Sequence, residues 1–171
     1  MKYFFLLLFT CCIISCTSEQ NESESAIQFF PSIEIREGLY YKTEAEVPYS
    51  GFSQSTYSDG KPYVSATFKK GKLHGTYTAW HLSGQKMGES NYMNGKKEGL
   101  SIAWHENGNK ASEISFINDE REGKLEVFYP TGEQSTEAFF KNDQLDSTYT
   151  RWNMDGNVVS VEVYEVGVVV E

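Results

Sequence analysis

Aromatic residues stand at Phe68, Tyr92, Phe116, Phe140 and Tyr164, each 24 positions after the last and without one insertion. A fixed period of this length means that one small unit is copied along the chain and buries its apolar side only against the next copy. Three further columns keep the same step. Trp80, Trp104, Phe128 and Trp152 form a second aromatic column, and Gly60, Gly84, Gly108, Gly132 and Gly156 form a glycine column. Gly51, Gly75, Gly99 and Gly123 form another, which Ser147 breaks. Four full units therefore cover residues 68–163. A cap and a degenerate unit precede them over 26–67, and a partial unit follows over 164–171.

Each unit reads as one β-hairpin. Stretches such as Gly75–His81 and Lys110–Phe116 are rich in Thr, aromatic and β-branched residues. Asp59-Gly60, Asn107-Gly108, Thr131-Gly132 and Asp155-Gly156 supply the positive φ of a tight hairpin turn. Asn94-Gly95-Lys96-Lys97-Glu98 and its counterparts then join one hairpin to the next. No helical period occurs from residue 38 onward. The predicted fold is all-β: an elongated single-layer antiparallel meander of repeated hairpins, with about ten to twelve strands. Side chains alternate, so Trp80 shares a face with Thr76 and Thr78, while Tyr77 and Ala79 take the other. If the Trp80–Trp152 row is packed, Trp104→Ala costs about 3–5 kcal/mol. A loss below about 1 kcal/mol would mean that the row faces solvent as a platform for a carbohydrate or a protein partner.

The first residues, MKYFFLLLFTCCIISC, carry one Lys and then an apolar run from Tyr3 to Ile14. That run is shorter than the roughly 20 residues a membrane helix needs, so residues 1–15 read as a signal peptide. Ile13-Ile14-Ser15-Cys16 resembles the bacterial lipobox, which implies lipidation at Cys16 and a membrane anchor through its acyl chains. The alternative is an ordinary secretory signal with Cys16 incidental. Residues 16–25 form an acidic tether whose TSEQNESES stretch has no apolar residue. It resembles the surface-export signals of some Bacteroidetes lipoproteins, and Thr17 in place of Asp leans toward the outer membrane, on either its periplasmic or its surface side.

Tyr92-Met-Asn-Gly-Lys-Lys-Glu-Gly99, followed by Trp104-His-Glu-Asn-Gly-Asn-Lys110, resembles the bacterial variant of the MORN repeat. Asp119, Asp143 and Ser147 depart from it by replacing glycines. The resemblance implies a scaffold that binds proteins or membranes, and some bacterial members are antitoxin or immunity partners. It carries no shared catalytic residues.

The chemistry-bearing residues form no site by spacing. His81 and His105 share a column with His74 nearby, but that column continues as Tyr129 and Asn153 and no carboxylate recurs beside it. Ser83-Gly84-Gln85-Lys86 matches Ser-x-x-Lys only across a turn, where a helical catalytic pair cannot form. Glu120 and Glu122 read as solvated turn residues. No metal, cofactor or catalytic residue is assigned, and a small hydrolase using carboxylates would need a deep pocket that raises a carboxylate pKa. All three Cys lie at or before position 16, so no thiolate cluster is available downstream.

Charge is more informative. The net −9 disfavours nucleic acid as a partner. Residues 68–115 hold seven Lys against four acidic residues, whereas 116–163 hold four basic against ten acidic. Lys69, Lys70, Lys72, Lys96 and Lys97 form a basic patch on neighbouring turns that suits an anionic membrane surface or an acidic partner. At the other end, Val158–Tyr164 and Val168–Val170 either close on themselves or leave an edge strand for a second copy. In the second case, deleting residues 165–171 abolishes self-association in sedimentation. The expected function is a non-enzymatic envelope lipoprotein whose repeats bind an unknown protein partner or a membrane surface. An antitoxin-type partner is the alternative.

Overall fold

The structure is a computed structural model that describes residues 28–170 apart from Pro31; the signal peptide, Cys16 and the tether lie outside the described residues. It contains fourteen strands: β1 (Gln28–Phe30), β2 (Ile33–Arg36), β3 (Leu39–Lys42), β4 (Gly51–Thr56), β5 (Pro62–Lys69), β6 (Lys72–Trp80), β7 (Lys86–Met93), β8 (Lys96–Trp104), β9 (Lys110–Ile117), β10 (Glu120–Phe128), β11 (Gln134–Lys141), β12 (Gln144–Trp152), β13 (Val158–Glu165) and β14 (Val168–Val169). Twelve form one sheet in the order β1-β4-β5 and onward to β14, all antiparallel, and β2–β3 form a separate hairpin. The chain is thus an all-β meander of consecutive hairpins.

The two kinds of turn exchange the places the dipeptides suggest. Asn94-Gly95 closes a two-residue turn between the paired Met93 and Lys96, with φ of 55° and 90°. Positive φ at both central residues is the type I′ pattern whose twist matches the strands. Lys70-Gly71, Asn118-Asp119, Asn142-Asp143 and Val166-Gly167 do the same. The segments expected to hold tight hairpins, such as Asp59-Gly60 and Asn107-Gly108, lie instead in five-residue loops: Trp80 pairs with Lys86 across residues 81–85, and Trp104 with Lys110. There the glycine occupies a single positive-φ position, and the N–H of the first loop residue donates to the carbonyl of the fifth.

Register assigns every column to a face. One face, here face A, carries Phe68, Tyr92, Phe116, Phe140 and Tyr164, each paired across the ladder with Gly51, Gly75, Gly99, Gly123 or Ser147. A glycine opposite an aromatic leaves room for the ring to lie over the neighbouring strand, so a single layer still buries apolar surface. Ala66, Phe68, Ala79, Ile114, Ala138 and Phe140 are buried on this face. Phe116, Leu125, Leu145 and Tyr149 pack on the Ile114–Ala138–Phe140 cluster. The other face, face B, carries Trp80, Trp104, Phe128 and Trp152, all only half-buried.

Ser147 stands in the glycine column at φ 87°. A side chain there is strained even though Gly99 and Gly123, its counterparts, have open space where a Cβ would go. Ser147→Gly is therefore expected to raise stability by about 1 kcal/mol. Differential scanning calorimetry checks it, and an unchanged or lower Tm would show that the column does not require glycine.

At the amino-terminal end a second layer appears. The β2–β3 hairpin lies over face A, with the Tyr40 and Phe68 rings 4.7 Å apart and Tyr49 and Phe68 5.8 Å apart. The far end closes on itself. β14 pairs with β13 at Tyr164 and Glu165, and the Val170 N–H reaches the Val163 carbonyl at 2.8 Å.

Candidate functional site

Repeat-to-repeat hydrogen bonds explain much of the polar column chemistry. In the five-residue loops, the Tyr57 hydroxyl donates to the Trp80 carbonyl at 2.9 Å, and the Tyr129 hydroxyl to the Trp152 carbonyl at 2.8 Å. His81 Nε2 and His105 Nε2 sit 3.0 and 2.8 Å from the Trp104 and Phe128 carbonyls. A carbonyl only accepts, so each Nε2 carries the proton. These histidines are latches between adjacent loops, interchangeable with tyrosine. No group of three His, Cys, Asp or Glu that could hold a metal occurs among the described residues.

The tight turns are fastened in a second way. The N–H of the first turn residue is accepted by the side chain of Ser50, His74, Glu98, Glu122 or Asp146 in successive repeats. The N–H of the second turn residue reaches the carbonyl of Tyr49, Leu73, Lys97, Arg121 or Leu145. Glu122 is thus a turn cap. At two turns an aspartate replaces glycine: Asp119 accepts from the Lys97 N–H at 2.6 Å, and Asp143 pairs with the Arg121 guanidinium. That guanidinium holds the Asp143 carboxyl below the usual carboxylate range. A lowered folded pKa contributes stability above the unfolded carboxylate value, which is lost as pH falls through the folded one. These columns share hydrogen-bonding capacity rather than residue identity. Reading them for donors and acceptors would have revealed both latches in the sequence.

Face B carries the residues expected to bind. Trp80, Lys86, Trp104, Lys110, Phe128, Gln134 and Trp152 alternate along its loop edge by register. Lys86 Nζ lies 5.7 Å from the Trp104 ring centroid and Lys110 Nζ 5.9 Å from that of Phe128, so cation–π contact covers part of each ring. Trp104→Ala is expected to cost about 1–2 kcal/mol, between the packed and the solvent-facing limits, because the ring is half-buried. Urea denaturation measures it. Glu89, Glu113, Glu126 and Glu137 run beside this row and are compensated: Lys86 reaches Glu89 at 2.6 Å, Lys110 reaches Glu113 at 2.5 Å, and Lys124 bridges Glu126 and Glu137.

The basic patch divides. Lys69, Lys72 and Lys96 stand on face B at the tight-turn edge, with Lys70 in the turn itself, all exposed and without an ion-pair partner among the described residues. Lys97 leaves the group: its ammonium lies 4.8 Å from the Phe116 ring centroid on face A.

One cleft of about 300 Å³ opens between β2–β3 and face A, lined by Ile33, Ile35, Tyr40, Phe68, Leu73 and Tyr77 among others. Burial pushes the Tyr77 hydroxyl pKa up, and Ser53 Oγ in the cleft wall is buried without a partner. The lining includes no carboxylate and no histidine, so the cleft offers no acid–base pair.

Against known families, the decisive observation is local. Residues 73–94 and 97–118 match the family model for the MORN repeat variant. The matched segments coincide with β6–β7 and β8–β9, one hairpin unit each. Repeats of this kind generally serve as scaffolds that bind proteins or membranes, and such all-β scaffolds are typically non-catalytic. No curated protein matches the chain.

Proposed function

We propose that this protein is a non-enzymatic binding scaffold of the cell envelope, anchored by lipid on Cys16 on the outer-membrane side and binding a protein through face B. The observation that carries the reading is the asymmetry of the sheet. Every hydrophobic side chain of the large sheet that is buried, Phe68 and Phe140 among them, lies on face A, whereas face B leaves Phe52, Met93, Leu100, Ile117 and Val161 exposed beside a half-buried aromatic row and an edge of unpaired lysines. Exposed apolar surface bordered by charge is the usual composition of an interaction surface.

The test is crosslinking in the native envelope with wild type, Cys16→Ala and Trp80→Ala/Trp152→Ala. The expected result is one discrete crosslinked protein for wild type, lost in the double variant while the fold remains intact. Cys16→Ala should lose the labelled acyl group and the envelope location. An unchanged crosslink pattern in the aromatic variant would overturn face B as the binding face, and lipid as the sole adduct would replace the protein partner by a membrane surface.

A further inference from the structure

We infer that face B binds a second copy of this chain, the two sheets packing face to face about a twofold axis that runs parallel to the strands at β9. This deepens the reading of face B as the binding face by naming its occupant.

Several charges on face B have no partner among the described residues. Along the tight-turn edge of face B, register places Lys69, Lys72, Met93, Lys96, Ile117, Glu120, Lys141, Gln144 and Glu165 on β5 to β13 in order. Among the described residues Lys69, Lys72 and Lys96 are unpaired at one end, and Glu120, Glu165 and one lysine, Lys141, are unpaired at the other. The acidic row in the middle of the face, Glu89, Glu113, Glu126 and Glu137, is largely compensated by Lys86, Lys110 and Lys124, the last shared between two glutamates. The turn edge is therefore strongly basic on one side of β9, with three lysines, and weakly acidic on the other, where Glu120 and Glu165 outnumber Lys141.

A twofold axis along β9 maps each strand onto the one equally far on the other side. Lys96 then faces Glu120, Lys69 faces Glu165, Lys72 faces Gln144, Met93 faces the Lys141 stem, and Ile117 meets its own copy. An isologous contact of this kind needs a self-complementary patch, which this edge provides. Lys96, Ile117 and Glu120 already line one open depression beside that axis. Apolar surface for the contact is exposed on the same face: Phe52, Met93, Leu100, Ile117 and Val161 are each more than a third exposed.

The area suffices. Nine strands about 4.8 Å apart and about 24 Å long give face B a footprint of roughly 900 Å². A standard stable interface takes about 800 Å² from each partner. Twisted sheets pack aligned at about −30°, so contact is closest at the axis, where Lys96, Ile117 and Glu120 stand.

The experiment is sedimentation equilibrium of the full-length chain in mild detergent, with circular dichroism as the check of fold. The wild type is expected to be dimeric and to dissociate as salt is raised. Lys69→Glu/Lys96→Glu and Glu120→Lys/Glu165→Lys should each weaken the dimer at least tenfold, and mixing the two variants should restore a one-to-one complex. A monomeric wild type at low salt would overturn the inference. So would a dimer that ignores both reversals but disappears when residues 166–171 are removed, since that pairing belongs to the terminal edge. If the dimer is absent while the aromatic variant still loses its envelope crosslink, the inference falls and face B stands as a site for another protein. Absence of both removes face B altogether.

Discussion

Phe140→Ala is expected to cost about 3–5 kcal/mol and to split urea unfolding into two steps. The ring is 8% exposed on face A and pairs across the ladder with Gly123, whose φ of 81° and missing side chain leave space for it. The Arg121 guanidinium sits 4.0 Å from the ring centroid, and Ile114 and the fully buried Ala138 complete the cluster. Truncation opens a cavity that β-ladder bonds hold from collapsing, which is the condition under which large-to-small changes are most costly. In a repeat array each unit is stabilised mainly by its neighbours, so a weakened junction near β11 lets the strands beyond it unfold on their own. Tyr164→Ala, at the terminal position of the same column, has only β14 beyond it and should cost much less. A single transition with a loss under about 1 kcal/mol for Phe140→Ala would mean that face A is not the core.

The period alone marks this column in the sequence, and with it the strand order and the antiparallel pairing. Which aromatic column is the more buried was not legible from the period. Phe68 and Trp80 recur with equal strictness, and what separates them is the residue paired across the ladder: a glycine for Phe68, Lys86 for Trp80. Partners of that kind depend on register, and register depends on turn length. The turns themselves were ambiguous because Asn-Gly suits both a two-residue turn and the positive-φ position of a longer loop. Met93 and Lys96 bracket the first case, and Trp104 and Lys110 the second. Lys97 shows the same limit at the candidate site: its place in sequence groups it with Lys96, but alternation sends the two to opposite faces. The β2–β3 layer was beyond reach for a different reason. It carries no 24-residue period, and its contacts with the sheet join segments about 30 residues apart.

That layer makes the second large effect. Gly71→Ala is expected to cost about 2–4 kcal/mol, far more than the same change at Gly95, although both occupy the second position of a two-residue turn. A Cβ on Gly71 would stand 2.9 Å from Pro48 Cβ, 3.0 Å from Leu39 Cβ and 3.1 Å from the Tyr40 carbonyl oxygen. None of these is the free end of a flexible side chain, so the hairpin itself must move. On Gly95 the nearest atoms are those of the Lys72 side chain, at 3.6 Å and beyond, and only the backbone cost of about 1 kcal/mol remains. Gly71 also receives the Tyr40 N–H on its carbonyl at 2.9 Å and donates its own N–H to the Tyr49 carbonyl at 2.7 Å. Displacing the hairpin breaks that pair and uncovers Phe68 at once. The difference between the two variants therefore isolates the docking of β2–β3. Hydrogen exchange at the Tyr40 amide should accelerate in Gly71→Ala and stay protected in Gly95→Ala. Equal losses and equal exchange in both would mean that the amino-terminal hairpin does not hold down face A and that the repeats carry that end alone.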